Sequence, residues 1–276
     1  MPIEGKQAGH VAYCSIPPSL KIYYHWNISG LKTFFVCAAD ERDRLFAVEV
    51  HTGYSLSGPL GIRPGLHLYN GPSTKAPLLA AAGEPSIGSK NALSFNNISQ
   101  ILLPGLKSSD LVTETMRAHI TPDDHSAWQF CIEVGDGEKM RREAFEWRRV
   151  KKTERDDDTH NGGFKLIKLG PSLEGEAIAS SSSHNRGITS SSAEELYEAR
   201  QEVLAIFSWN KFISSPKHPF DLQLMGSGRS DEMGERWVLM VLITALRLWY
   251  LHVNGRTKQG VVSVTEKARG KDVVVV

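Results

Sequence analysis

The segment at residues 237–253, WVLMVLITALRLWYLHV, constrains the fold of this chain more than any other feature. A helix on the surface of a globular protein has one apolar stripe, whereas this segment is apolar on nearly every side, so it must be enclosed by protein or by lipid. A membrane span needs about 20 mostly apolar residues, and this run is shorter, with Arg247 near its middle and His252 near its end. An arginine at the centre of a span opposes insertion by at least about 2.5 to 3.5 kcal/mol. The sequence therefore favours enclosure by protein, with a tail-anchored membrane segment as the alternative.

Short strand-like segments fill most of the chain before this run. They are rich in Val, Ile, Phe, Tyr and Trp, are separated by turn residues, and lie at 21–28, 33–39, 45–51, 66–69, 77–81, 92–103, 112–120, 127–134, 139–150, 164–169, 176–180, 203–209 and 220–225. The polar residues at 40–43 and the Gly-Asp-Gly sequence at 135–137 predict hairpin turns. The sequence therefore predicts a mainly β fold, a closed β-barrel of about twelve strands that encloses the hydrophobic C-terminal α-helix. Closure removes the sheet edges and supplies an apolar lumen for the helix.

The same patterns predict one domain with two flanking segments. Residues 1–20, which include Pro17-Pro18, are expected to form a loose lead-in, and a single barrel domain is expected over 21–254. The polar residues at 255–276 predict a disordered tail.

The limits of the central helix are predicted by capping residues. The helix is expected at about 231–254, with Ser230 as its N-cap and Gly255 as its C-terminal glycine cap. Two polar insertions are expected in the barrel domain, at 154–163 and at 180–202. The second begins with a serine-rich stretch that buries too little apolar surface to offset the entropy of ordering, so it is expected to be disordered there.

Charge and cysteine content indicate the cellular setting. Lys plus Arg number 32 and Asp plus Glu 31, a net charge of +1, so no global field directs the protein to nucleic acid or to a membrane, and any charged function must be local. The three cysteines, Cys14, Cys37 and Cys131, show no CxxC spacing and predict buried thiols in a reducing compartment. The first residues lack the pattern of a secretory signal. We therefore expect a cytoplasmic protein, peripheral at a membrane, with a nuclear location left open by the RRVKK sequence at 148–152.

The strongest local charge feature is a basic strand region at 139–152. Its candidate lipid-binding residues are Arg141, Arg142, Arg148, Arg149, Lys151 and Lys152. Alternate residues of a strand share a face, so Phe145, Trp147 and Arg149 are expected on one face and Glu146 and Arg148 on the other. A cation near an anionic membrane contributes about 1 kcal/mol to binding. The simpler and commoner interpretation is a solvated strand whose charges protect a sheet edge and are neutralised by nearby carboxylates.

Sequence motifs of enzymes and metal sites are missing. The chain contains no GxSxG, P-loop, HExxH or GxGxxG motif in a suitable context. Asp123-Asp124-His125 lies between two strands after Thr121-Pro122, which predicts a hairpin turn. The three aspartates at 156–158, followed by His160, lack the glycine-spaced pattern of a calcium loop. The sequence therefore predicts a protein without catalytic residues, cofactor or metal.

Several short patterns occur in a familiar order. They are FEWRR at 145–149, GFKLI at 163–167, GEAIA at 175–179, EVLAIFSW at 202–209 and GERW at 234–237. Over roughly residues 21–254 this order resembles uncharacterised fungal proteins of the tubby C-terminal-like superfamily, which includes tubby domains, plant LURP-one-related proteins and phospholipid scramblases. The resemblance implies a twelve-stranded barrel around a C-terminal hydrophobic helix. The phosphoinositide pocket of tubby domains and the acidic calcium segment of scramblases have no residue-by-residue match here.

These observations together predict an intracellular, monomeric binding or scaffold protein without enzymatic activity. We expect it to contact anionic phospholipid headgroups, phosphoinositides in particular, through the basic strand, and to bind no nucleic acid. Its protein partners are not predicted. The alternative is a scramblase-like or tail-anchored membrane protein in which residues 237–253 enter the bilayer.

Overall fold

The protein forms a closed antiparallel β-barrel. The structure, a computed structural model, describes residues 15–27, 30–54, 58–85, 97–106, 110–135, 137–150, 161–170, 202–210 and 217–272. Within these residues lie twelve strands: β1 (Ser19–Asn27), β2 (Gly30–Cys37), β3 (Arg44–His51), β4 (Gly65–Tyr69), β5 (Leu78–Gly83), β6 (Ile98–Pro104), β7 (Leu111–Ile120), β8 (Ser126–Val134), β9 (Arg141–Arg149), β10 (Gly163–Lys168), β11 (Val203–Trp209) and β12 (Phe220–Leu224). Each strand pairs with the next in the chain, and β12 closes the barrel by pairing with β1, where Leu20 lies opposite Leu222. The predicted closed barrel of about twelve strands is confirmed.

Helix α1 (Glu235–Val253) fills the lumen of this barrel. Every residue from 239 to 248 is at most 1% exposed. Ten consecutive residues cover the whole circumference of a helix, so only an enclosing wall buries them all. Inward side chains from all twelve strands join α1 in one hydrophobic core. By length and composition α1 could cross a membrane, but most of it is buried inside the barrel, and the predicted enclosure by protein is confirmed.

Buried hydrogen bonds fix the position of α1 in the lumen. The indole Nε1 of Trp147 on β9 donates to Thr244 Oγ1 at 3.0 Å, and that hydroxyl donates to the Met240 carbonyl at 2.7 Å. Near the C-terminal end of the helix, Trp249 Nε1 donates to the Tyr24 hydroxyl on β1 at 3.2 Å. Buried polar groups that lack partners are strongly destabilising, so these bonds define one rotation and depth for the helix.

The two ends of α1 agree only in part with the sequence predictions. The prediction that Ser230 caps this helix is wrong, because its hydroxyl donates to the Ser227 carbonyl and a 3₁₀ turn (Asp231–Met233) precedes Gly234 and the start of α1. The predicted glycine cap is confirmed: Gly255 has φ +70°, its N–H donates to the His252 carbonyl, and the next N–H donates to the Leu251 carbonyl. This pair of bonds is the Schellman motif.

A second helix, α2 (Gln259–Asp272), follows α1 across one end of the barrel. The prediction of a disordered polar tail is therefore wrong for residues 255–272, and residues 273–276 lie outside the described residues. Val262 is 2% exposed and belongs to the main core, and the Glu266 carboxylate accepts the Ile120 N–H at 3.2 Å. These contacts hold α2 against the end of β7. We call this end of the barrel, where β3, β7, β9 and α1 finish, the α2 end, and the other the far end.

Other predicted elements differ mainly at their limits. β1 begins at Ser19, inside the predicted lead-in, and the segment predicted at 92–103 is strand only from Ile98, since 86–96 lie outside the described residues. The predicted hairpin turns at 40–43 and 121–125 are confirmed: β2 pairs with β3, β7 pairs with β8, and Asp124 has φ 61°. The strand predicted at 176–180 and most of both polar insertions also fall outside the described residues.

The cysteine prediction leads to a chemical test. Cys37 is fully buried and Cys131 is half-buried, while Cys14 lies outside the described residues. Burial raises the pKa of the Cys37 thiol to about 11, so the reactive thiolate is scarce at neutral pH. We expect iodoacetamide to leave Cys37 unmodified in the native protein and to modify it readily in urea, as read by peptide mass mapping. Native modification of Cys37 as fast as that of Cys131 would contradict its burial.

Candidate functional site

As lined by the described residues, the lumen leaves little space for a ligand. α1 occupies it along its length, and a cavity of about 20 Å³ lies at the α2 end, lined in part by Ser99, Trp128, Arg256 and Thr265. A cavity of that size holds about one water molecule. The outer wall and the two ends of the barrel are therefore the places for a binding surface, and the predicted basic strand β9 runs along the wall from one end to the other.

At the far end, Arg142 of β9 belongs to a network of two arginines and two glutamates. Its Nη2 lies 2.6 Å from Glu114 Oε2, and its Nη1 donates to Glu133. Arg236, in the first turn of α1, donates to the same two carboxylates at 2.8 and 3.3 Å. The hydrogen bond that Arg142 donates to the Glu114 carboxylate raises the pKa of Arg142, so the guanidinium stays charged. This network fastens the start of α1 to the wall.

Arg141 is neutralised at the same end. It donates to Glu143, which also accepts from Lys168 Nζ at 2.8 Å. Burial alone would raise the pKa of Glu143, but these two cations outweigh it and hold the pKa below its ordinary value. Arg141 and Arg142 thus serve as structural ion-pair partners, in line with the simpler interpretation of the basic strand.

The α2-end half of β9 has a different environment. The side chain of Arg148 is 31% exposed, and its Nε lies 2.5 Å from Oε1 of Glu146. The second carboxylate oxygen, Oε2, lies 3.0 Å from Nε2 of His119. Lys165 of β10 lies directly opposite Arg148, and the exposed Arg117 of β7 lies on the same outer face. Among the described residues, Glu146 pairs with Arg148 and with the His119 ring. We call Arg117, Arg148 and Lys165 the wall patch.

Glu146 remains ionised within this surface. Its burial, with 4% exposure, would raise its pKa, but hydrogen bonds from His119 and Arg148 reverse the effect and hold the pKa below its ordinary value. Glu146 therefore cancels one positive charge and orients Arg148, and among the described residues the three cations of the wall patch outnumber this carboxylate.

The predicted alternation of inward and outward side chains along β9 is confirmed in the part of the strand that packs on the core. Phe145 and Trp147 belong to the main core, whereas Glu146 and Arg148 point to the outer face. Arg149 is the last residue of the strand and is exposed. Burial lowers the pKa of His252, and the positive charge of Arg149 lowers it further. The candidate residues Lys151 and Lys152 lie outside the described residues.

A buried charge cluster lies inside the α2 end. Arg247 is 0% exposed; its Nη2 donates to Glu84 Oε1 at 2.8 Å and its Nε to Ser99 Oγ at 3.0 Å. Arg256 donates to the same carboxylate. The arginine that argues against a membrane span thus has a protein partner inside the barrel.

Sequence reasoning missed Arg117 and Lys165 as members of the basic surface. A signal for both was present, because each is a cation between inward-facing apolar or small residues of a strand. Strict alternation places such a residue on the outer face. The strand order that places Lys165 opposite Arg148, and Arg117 on the same outer face two strands away, is known only from the barrel.

Comparisons with known proteins add no family assignment. No family model, curated protein or solved structure matched this chain. Among the described residues, no group of three or more His, Cys, Asp or Glu side chains is placed to hold a metal ion. The outer wall near the end of β9 is the candidate site on geometric grounds.

Proposed function

We propose that this protein is a non-enzymatic, monomeric binding or scaffold protein of the tubby-like kind that contacts anionic phospholipid headgroups from the cytoplasm. The observation that carries the proposal is the wall patch, in which Arg117, Arg148 and Lys165 share one outer face that, among the described residues, also holds the buried carboxylate of Glu146. Clustered cations attract an anionic membrane surface, each contributing about 1 kcal/mol.

Two features support the tubby-like part of the proposal. The strand order and the enclosed C-terminal helix agree with the architecture that the sequence resemblance implies. The segments that carry the resemblance include β9 and the start of α1, where Arg142 and Arg236 both donate to Glu114. A fold alone specifies no ligand, so the lipid contact rests on the wall patch.

The geometry narrows the set of candidate residues. Arg141 and Arg142 are engaged with carboxylates at the far end, and we do not include them in the binding surface. Arg148 and Arg149 stay in it because they lie at the α2 end beside further cations. Lys151 and Lys152 follow β9 in the sequence and stay candidates on that basis.

Sedimentation with lipid vesicles tests the proposal. We expect the wild type to bind phosphatidylcholine vesicles that contain a few per cent of a phosphoinositide at low salt, and to release them at high salt. The variant Arg117→Gln/Arg148→Gln/Lys165→Gln should bind roughly 100-fold more weakly, since it loses three cations worth about 1 kcal/mol each.

A matched variant controls for net charge. Arg42, Lys75 and Lys139 are exposed cations at the far end, and changing all three to Gln removes the same charge. The affinity of this control for the vesicles should be within about threefold of the wild-type affinity. Charges at the far end are distant from the membrane, and salt screens their attraction to it. Equal losses in the two variants would show attraction by net charge alone, and no wild-type binding at low salt would refute the proposal.

The alternative, a scramblase-like or tail-anchored protein, is favoured by one observation, the length and apolar composition of α1. Entry of α1 into a bilayer requires it to leave the lumen and separates Arg247 from Glu84 and Trp147 from Thr244. Membranes from cells that express the protein should release it in alkaline carbonate if the proposal is right. Retention in the carbonate-washed membrane would favour the alternative.

A further inference from the structure

Two large apolar side chains project into solvent from the connection between β3 and β4. Tyr54 is 93% exposed and Ile62 is 62% exposed. Single exposed apolar residues are common on protein surfaces and need no explanation. Tyr54 and Ile62 differ from such isolated residues because both belong to one connection, which is anchored to the barrel.

Buried contacts anchor that connection. Leu60 is 1% exposed and packs on the outer wall of the barrel against Ala81 and Leu102. Arg63 donates from Nε to the Leu60 carbonyl at 2.8 Å and from Nη2 to the Pro59 carbonyl at 2.7 Å. The exposure of the neighbouring Ile62 is therefore set by an ordered backbone.

The two sides of the connection touch each other. Gly53 has φ +87°, and a Cβ at this position would lie 2.2 Å from the Ile62 carbonyl oxygen, so only glycine permits the contact. The approach places the backbone just before Tyr54 against the backbone of Ile62. We call the side chains of Tyr54 and Ile62 the apolar knuckle.

The apolar knuckle lies at the α2 end, because β3 finishes and β4 begins there. Val253 and Val264 are 60% and 67% exposed at the same end. The large apolar side chains exposed at the far end are less prominent: Leu106 at 43%, Val112 at 38% and Met140 at 37%. The four most exposed large apolar side chains of the described residues thus share one end of the barrel.

Within the part of the chain that the structure describes, exposed charges at the α2 end are predominantly positive. Among the described residues, the exposed cations of this end and of α2 are Arg149, Lys217, Lys258 and Lys267, and the exposed carboxylates are Asp123 and Asp124. The wall patch adds further positive charge on the adjoining wall. Apolar side chains among cations are typical of surfaces that lie at the interface of an anionic bilayer.

We infer that the α2 end is the membrane-facing surface of this protein, and that Tyr54 and Ile62 insert among the headgroups of an anionic phospholipid bilayer. The inference rests on the proposed function and adds an orientation and an apolar contact to it. Tyrosine suits the interfacial region, where its ring is in an apolar setting and its hydroxyl remains hydrated. The cations of the same end then face the lipid phosphates.

Removal of the apolar knuckle tests the inference. The double variant Tyr54→Ser/Ile62→Ser changes two exposed side chains, so the fold should be retained. We expect its affinity for phosphoinositide vesicles to fall by about tenfold or more, since even partial burial of two large apolar side chains contributes that much. The matched variant Leu106→Ser/Met140→Ser, at the far end, should bind as the wild type does.

A tryptophan reporter measures insertion directly. Tyr54→Trp should gain fluorescence that brominated phospholipids quench, relative to the wild type with its six native tryptophans. Leu106→Trp should show no such quenching.

The outcomes separate the two proposals. One set of results overturns the inference but leaves the proposed function in place: the wild type binds, the serine variant binds equally well, and Trp at position 54 is not quenched. The apolar knuckle would then be a contact for a protein partner. Failure of the wild type to bind any anionic vesicle at low salt overturns both. Weakened binding by the serine variant with quenching at position 54 supports both.

Discussion

Replacing Glu84 by Gln is expected to lower the free energy of unfolding by about 3 kcal/mol, within the range found when one partner of a buried ion pair is removed. The variant leaves the guanidinium of Arg247, which is 0% exposed, without a charged partner inside the barrel. Urea unfolding followed by tryptophan fluorescence measures the change.

Two further variants isolate the buried charge. Glu84→Gln/Arg247→Met removes both members of the pair and should recover much of the loss, because no unpaired charge then remains in the core. Glu41→Gln breaks the pair with Arg44, whose partner carboxylate is 42% exposed, and should change stability by less than about 1 kcal/mol. A Glu84→Gln effect no larger than that of Glu41→Gln would contradict the buried role of the pair.

Glu84 also makes stability depend on pH. Burial would raise its pKa, but the guanidiniums of Arg247 and Arg256 outweigh burial and hold the pKa below its ordinary value. A carboxyl group whose pKa is lower in the folded state stabilises the protein above its unfolded-state pKa, and this contribution is lost as the pH falls through the folded-state pKa. The difference in stability between the wild type and Glu84→Gln should therefore shrink as the pH is lowered below about 4.

Replacing Leu242 by Ala is expected to lower the free energy of unfolding by about 2 to 5 kcal/mol, the range for truncation of a fully buried leucine. Leu242 is 0% exposed in the middle of α1, where the barrel wall surrounds it and cannot fully close the resulting cavity. Val253, on the same helix, is 60% exposed, so Val253→Ala should change stability by less than about 0.5 kcal/mol. Equal effects of the two substitutions in urea unfolding would contradict enclosure of α1 by the barrel.

The barrel could be predicted because its main signals are local. A helix that is apolar on all sides needs an enclosure, and a series of short strands joined by polar turns supplies one. The turn at 40–43 and the glycine cap at Gly255 depend on neighbouring residues only, and both were found. Helix α2 was missed because its apolar residues are few, and Val262 becomes a core residue only through the barrel end that it covers.

The candidate site could be predicted only in part. The sequence of a strand shows its charged residues, but it does not show which carboxylates of other strands neutralise them. The carboxylates that engage Arg142 come from β7 and β8, and the barrel register decides that they meet it. Glu114 carried a usable signal, since it shares its phase on β7 with the inward-facing Met116 and Ala118. The partner of Arg247 lies 163 residues away in the sequence, beyond any local pattern.

The pairing of β1 with β12 has a consequence for biosynthesis. β1 occupies Ser19–Asn27 and β12 occupies Phe220–Leu224, so the first strand emerges from the ribosome long before its second neighbour exists. α1 follows later still, and until then the aromatic inner faces of the strands have nothing to cover them. Incomplete sheets with exposed apolar faces are prone to aggregate, and long-range pairings form slowly. We therefore expect the nascent chain to be the form of this protein most prone to aggregate, until the residues of α1 have been synthesised.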